Sequence, residues 1–163
     1  MTDSLAEDVA AIQRMAAVPS LLEVVCRVTG MGLAAIARVT EEDWIACAVR
    51  DEIVYGLSPG DELPISTTIC DEVRGHRRAT VIEHVAEDPL FHDHPTPRRY
   101  GFQSYISVPI IRTDGDFFGT LFAIDMAPAK LANSSAVTTF NLFAQLIALQ
   151  LDADERAVAG TRH

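Results

Sequence analysis

The sequence predicts an α/β (α+β) fold, a central, mostly antiparallel sheet of five to six strands with helices from both ends of the chain. Three observations carry that prediction. The stretch Tyr100 to Asp125 reads as two strands joined by a tight turn. Helical spacing of apolar residues marks both chain ends, and short apolar runs punctuated by Gly and Pro fill the middle. Both strands of the hairpin are apolar on both faces, so other elements must cover the sheet from two sides.

At the start, Ser4-Leu5-Ala6-Glu7 has the form of a capping box, in which a hydroxyl and a Glu three residues later satisfy helix-end amides. Leu5, Val9, Ile12 and Ala16 follow at helical spacing. A second box, Ser20-Leu21-Leu22-Glu23, opens another helix after a break near Pro19, and that helix runs to Gly30. Leu33 to Val39 is a predicted strand, Glu41-Glu42-Asp43 a turn, and Trp44 to Arg50 the return strand. Tyr55 to Pro64 reads as a loop. Thr68 to Arg74 forms a short helix stopped by Gly75, with Asp71 and Glu72 early, where the helix dipole favours acids.

Thr80 to His84 is a short strand. Glu87 to Phe102, with Pro89, Pro95 and Pro97, is a long connection holding at most one-turn helices. Connections of this length inside a compact domain usually serve function. In the hairpin, Ser104 to Arg112 alternates around Ile106, Val108 and Ile110, and Phe117 to Asp125 around Phe118, Phe122 and Ile124. Asp114-Gly115 supplies the pair that tolerates positive φ in the turn.

Asn133-Ser134-Ser135 caps a last helix over 134–158. Val137, Phe140, Ala144, Ile147 and Leu151 fall on one of its faces, and Leu142, Leu146, Leu149 and Ala153 roughly opposite. One side should cover the sheet, and the other should meet the N-terminal helix, a second subunit, or both. Hairpin connections make the sheet mostly antiparallel, with terminal helices on one face. The whole chain, 1–163, reads as a single domain: helices over 1–30, sheet and connections over 31–130, and the final helix over 131–158.

The 163 residues suit one domain with a sizeable core, and 48% apolar with 22% charged residues is the balance of a soluble globular protein. A formal net charge of −10 opposes nonspecific binding to nucleic acid or anionic membrane. Three cysteines (Cys26, Cys47 and Cys70) form no CxxC or paired zinc spacing, which argues against a disulfide framework or structural zinc and for a reducing compartment. The acidic N-terminus lacks the apolar core of a secretory signal, and the run Phe140 to Leu151 is too short to span a bilayer. A cytoplasmic location is expected, either as a stand-alone domain or as a piece of a longer protein.

The element order and several motifs resemble a GAF domain, a small-molecule-sensing module of bacterial signalling proteins. The resemblance covers about Ser20 to Leu151. It rests on Gly60-Asp61-Glu62-Leu63-Pro64 leading to the short helix with Cys70, on Thr80-Val81-Ile82-Glu83, and on Asp88-Pro89-Leu90-Phe91. Tyr100 to Ile110 and Gly119 to Asp125 complete it. The middle, LFHDHPTPRRYGFQSYISVPI, is most similar to GAF domains attached to sensor histidine kinases.

The resemblance implies a pocket between one sheet face and the short helix plus long connection, with signalling helices on the other face. It implies a non-catalytic, dimeric input module that binds an unidentified small molecule. The candidate ligand-binding residues are Cys70, His84, His92, Tyr100, Tyr105 and Phe122. The expected homodimer forms through the helix carrying Val137, Phe140, Leu142, Leu146 and Leu149, together with the N-terminal helix. A ligand-free dimerisation scaffold is the alternative.

Sharper readings lose support at particular positions. A family reductase that acts on free methionine-(R)-sulfoxide needs a thiol just before the Val108-Pro109-Ile110 strand, where this chain has Gln103, Ser104 and Tyr105. A covalent bilin needs a Cys-His pair near His92-Asp93, and neither residue is a thiol. The cyclic-nucleotide pattern Asn-Lys-x-Phe-Asp-Glu should begin where Asp125-Met126 stands. His84, His92 and His94, with Asp88 and Asp93, could bind a metal ion or haem, or could cap turns around the prolines. Arg98 and Arg99 could clamp an anion or lie solvated. Trp44, Tyr100, Tyr105 and Phe122 could form an aromatic wall or simply core. No cofactor is assigned.

Overall fold

The computed structural model describes residues 3–131 and 135–161. The chain runs α1 (Asp3–Gln13), α2 (Val18–Thr29), β1 (Leu33–Val39), β2 (Trp44–Asp51) and β3 (Glu62–Leu63). It continues with α3 (Ile69–His76), β4 (Thr80–Ile82), α4 (Pro95–Tyr100), β5 (Ser104–Ile111), β6 (Phe117–Asp125) and α5 (Ala136–Thr161). The six strands form one sheet in the order β3-β2-β1-β6-β5-β4, antiparallel at every pairing. Gly119 sets how closely β1 and β6 approach, because a Cβ there would lie 1.8 Å from the Ala37 carbonyl oxygen.

Alternation along the strands divides the molecule into two cores. On one face α1, α2 and α5 close over Ile36, Ile45, Ile106, Val108 and Phe118, with Ile12, Leu22, Val25, Phe140 and Ile147 contributed by the helices. The other face carries Leu33, Trp44, Tyr105, Phe122 and Ile124 and is covered by α3 and the loops. Both faces of the hairpin strands are therefore covered, as their apolar character requires. One polar cluster ties α1 to the sheet. Asp8 pairs with Arg38 and with Arg112 at 2.8 Å each, and the two guanidiniums lie 5.0 and 5.1 Å from the centre of the Phe118 ring.

The structure corrects several local expectations. Ser20 caps nothing: α2 begins at Val18 behind Ala17, with no side-chain cap, because Pro19 fits the first helical turn, where its missing N–H costs nothing. Helix α1 already includes Asp3, so Ser4 lies inside it. Gly75 does not end α3. The left-handed residue is Arg77 (φ 55), whose N–H bonds the Val73 carbonyl and whose guanidinium donates to the Gly115 carbonyl at 2.9 Å. A tertiary contact thus supports a backbone conformation usually left to glycine.

The expected alternation of Phe118 with Phe122 and Ile124 fails. A register shift between Ile110 and Ile111 places Phe118 in the helix-side core and the other two on the opposite face. In the hairpin turn Gly115 alone has positive φ (96°), and the loop closes through Arg112 N–H to the Asp116 carbonyl. The connection holds more than a one-turn helix in α4. The loop before α3 contains the two-residue strand β3, too short to carry a sequence signal. Asn133 and Ser134 lie outside the described residues, and α5 extends to Thr161 rather than 158. Among the described residues no single helix is long and apolar enough to cross a membrane.

Candidate functional site

A cavity of about 190 Å³ lies between the second sheet face, α3, α4 and the loop after β2. Each wall has a local origin. Trp44 opens β2, and its ring centre is 5.9 Å from that of Phe122 on β6. Tyr105 of β5 stacks between Phe102 (5.5 Å) and Phe122 (6.4 Å). These residues share a face because strand side chains alternate. Ile69 and Cys70 come from the first turn of α3, which packs on β5 and β6.

The mouth is tied by hydroxyls. Tyr55 Oη donates to the Tyr100 carbonyl at 3.0 Å, the Tyr100 and Thr67 hydroxyls meet at 2.5 Å, and Thr96 Oγ1 donates to the Thr67 carbonyl at 2.7 Å. Tyr55 is itself placed by Asp51, which caps the loop by accepting from the backbone N–H groups of Ile53, Tyr55 and Gly56. Burial pushes the Asp51 carboxyl up, but backbone donors led by Tyr55 and Gly56 outweigh it, and its pKa is lowered.

At the floor, Cys70 Sγ lies 3.1 Å from Thr120 Oγ1 and 3.7 Å from Tyr105 Oη. Burial raises the Cys70 pKa against the weaker opposing pull of Thr120, Trp44 and Tyr105. Burial likewise holds the Tyr105 phenol well above its ordinary value, so both groups stay neutral. The Trp44 Nε1–H is buried and reaches no partner at hydrogen-bond geometry, the adjacent Cys70 sulfur being a weak acceptor. Ser107 Oγ, beside Tyr105, is also buried without a partner.

Four of the six candidate residues converge: Cys70, Tyr100, Tyr105 and Phe122 all line the cavity. His84 and His92 do not. His84 sits after β4 beside Glu87 (3.3 Å), in a separate open cleft with Glu83 and Asp88. His92 is exposed, with Nδ1 on the Asp88 carbonyl (2.8 Å) and Nε2 beside Asp93 (3.0 Å). His94 caps α4 by accepting from Thr96 N–H, and meets Glu72 at 2.8 Å. The polar side chains of the connection are therefore spent on its turns and helix ends. Among the described residues no three His, Cys, Asp or Glu side chains come together as a metal would need.

Arg98 and Arg99 are exposed, and Arg99 lies over the Tyr100 ring. Asp125, at the cyclic-nucleotide motif position, is spent on the backbone N–H groups of Gly32 and Ala127. Reading the sequence missed Tyr55, Phe102 and Ile124 as cavity residues. Ile124 was legible as the residue two beyond Phe122. Tyr55 was not, because the Asp51 cap and the Tyr100 carbonyl, both outside its local pattern, hold it against the cavity.

An antiparallel sheet with helices on one face and a loop-covered cavity on the other is the α+β architecture the sequence led us to expect. The GAF domain profile matches residues 14–151, and the chain belongs to this family. Solved structures agree in fold. The chromophore-binding domain of a bacteriophytochrome from R. palustris has a TM-score of 0.71 at 14% identity, covering 94% of this chain and 62% of that one. The chain thus spans less than two thirds of that protein. The PixJ GAF domain of Thermosynechococcus elongatus has a TM-score of 0.69 at 14% identity, covering 100% of this chain and 97% of that one. A free methionine-R-sulfoxide reductase from Neisseria meningitidis has a TM-score of 0.65 at 16% identity, covering 94% and 89%. A search of curated protein sequences finds no match.

Proposed function

We propose that the chain is a non-catalytic, small-molecule-sensing input module that acts as a homodimer in bacterial cytoplasmic signalling. The histidine-kinase setting rests on the likeness of the stretch from Leu90 to Ile110. The observation that carries the reading is the aromatic-lined cavity, whose sheet wall is the reverse side of the surface that seats α1, α2 and α5. A ligand that moves β5, β6 or α3 therefore presses on residues one position away from those packed on the terminal helices.

The proposed dimer face is narrower than the sequence suggested. Phe140 is fully buried in the helix-side core and Val137 is partly buried against it, so we place the contact on the residues that face outward. Leu142, Leu146 and Leu149 remain 53%, 48% and 57% exposed along α5, and Val24 and Val28 are exposed on the adjoining α2. Three exposed leucines at helical spacing favour a helix-to-helix contact.

A reductase role is disfavoured by the thiols. Cys70 is alone on the cavity face, while Cys26 and Cys47 belong to the other core, with burial raising them to about 11 and about 12. Thiols held protonated are weak nucleophiles. The chromophore of the bacteriophytochrome domain and the substrate of the reductase are those proteins' ligands.

Native mass spectrometry of protein purified from its own cell, paired with thermal-shift screening of metabolites, tests the reading. A retained or stabilising small molecule supports sensing. A clean dimer with neither supports a ligand-free scaffold, a reading favoured by the near-complete burial of Cys70, Tyr105 and Phe122. Turnover of free methionine sulfoxide would overturn both. For the dimer, Leu146→Glu should yield monomers in analytical ultracentrifugation with stability within about 0.5 kcal/mol of wild type.

A further inference from the structure

The chemistry of the cavity limits what can occupy it. The volume, about 190 Å³, is below the usual range for drug-sized ligands, roughly 300 Å³ and above. It is slightly larger than the ~150 Å³ apolar cavity that accommodates benzene. Six aromatic side chains, Trp44, Tyr55, Tyr100, Phe102, Tyr105 and Phe122, contribute to the walls. Aromatic surfaces at this density favour a flat ring, which can stack on one wall and meet another edge-on.

Charge is the second restriction. Among the described residues no Lys, Arg or His lines the cavity, and the single charged lining residue, Asp61, is exposed and spends Oδ2 on the Ser58 N–H. An anion entering here would lose its hydration with no cation to replace it, and a cation would find its one carboxylate outside. The hydroxyls at the mouth are already engaged. Tyr55 and Thr96 donate to backbone carbonyls, Thr68 donates to the Ile65 carbonyl, and Tyr100 pairs with Thr67. Among the described lining groups the Trp44 Nε1–H is left without a partner, so a guest is offered one buried donor and little else, too few contacts for a heavily polar molecule.

We infer that this cavity takes a neutral aromatic compound of one ring or two small fused rings, held by stacking and dispersion. The inference rests on the sensory reading above and adds the chemical class of its ligand. The same limits disfavour nucleotides, zwitterionic amino acids and tetrapyrroles for this half-open cavity in this shape.

The protein supplies its own reporter. Trp44 is the chain's single tryptophan and it stands in the wall, so one indole N–H signal in a ¹H–¹⁵N spectrum reports occupancy. The full chain is titrated with benzyl alcohol, benzoate and benzylamine, which share a ring and differ in charge. Benzyl alcohol should shift the Trp44 signal saturably and bind at least ten-fold more tightly than either ion. Intermolecular NOEs to Trp44 and Tyr105 should place it in the cavity. Ile124→Phe, which fills the space, should weaken binding at least ten-fold. Should that variant fail to fold, the NOEs on wild-type protein still decide the location.

Equal or tighter binding of benzoate or benzylamine overturns the inference and leaves sensing intact. So does the absence of binding by all three probes when native mass spectrometry finds a different retained metabolite. Absence of probe binding with no retained molecule, and no thermal shift from any metabolite, overturns both the inference and the sensory reading.

Discussion

The two faces of the sheet are built from the same six strands, and they differ in almost every other respect. The helix face is mainly aliphatic and sealed by three helices, with Phe118 and Phe140 fully buried within it. The cavity face is aromatic, covered by the two-turn α3, the short α4 and loops held by hydroxyl and carboxylate hydrogen bonds. It also carries the unpartnered Trp44 and Ser107 groups. Long helices close a sheet by burying continuous stripes, whereas short elements leave gaps between their ends. In this family member, the sealed core and the cavity lie on opposite sides of one sheet.

Truncation on each face should break the comparison if it is wrong. Phe140→Ala empties a fully buried site and should cost about 3–5 kcal/mol in urea unfolding. Phe122→Ala widens a space that already exists, so the cavity term is smaller, and a loss of about 2 kcal/mol is expected from transfer alone. Equal losses would mean that the cavity face is packed as tightly as the helix face.

Asp8→Ala leaves Arg38 and Arg112 without their carboxylate. All three side chains retain some exposure, so the expected cost is about 2 kcal/mol, below that of a fully buried pair. It should raise the exchange rates of amides in α1 more than those in α3.

The smallest effect is a pH dependence confined to the cavity mouth. The Asp51 pKa is lower folded than unfolded. Its contribution is therefore fully present above the ordinary carboxylate value of 3.8 and is lost as pH falls through the lowered folded value. Trp44 fluorescence should change in that acid window before global unfolding, and Asp51→Asn should remove the step. A change of the same size in Asp51→Asn would assign it to another group.

The legibility of the chain follows the same division. Regular elements announced themselves through periodicity: β1, β2, the hairpin and α5 fall close to where their apolar spacing put them. Cys70, Tyr100, Tyr105 and Phe122 were recoverable because α3, the end of the connection and the hairpin sat in recognisable motifs. His84 and His92 were misplaced because proximity in the sequence of a connection does not imply convergence in space. Each satisfies a local turn partner instead.

By itself the sequence determined the strand and helix content, the need for cover on both sheet faces, and a last helix with two apolar sides. These follow from hydrophobic periodicity, which is local. Only the tertiary structure decided that the register shift at Ile110 sends Phe118 to the opposite face from Phe122. It also decided that Asp51 turns Tyr55 over the cavity, and that Phe140 belongs to the core while Leu142, Leu146 and Leu149 face outward. Those outcomes depend on contacts between residues far apart in the chain, which no window of sequence contains.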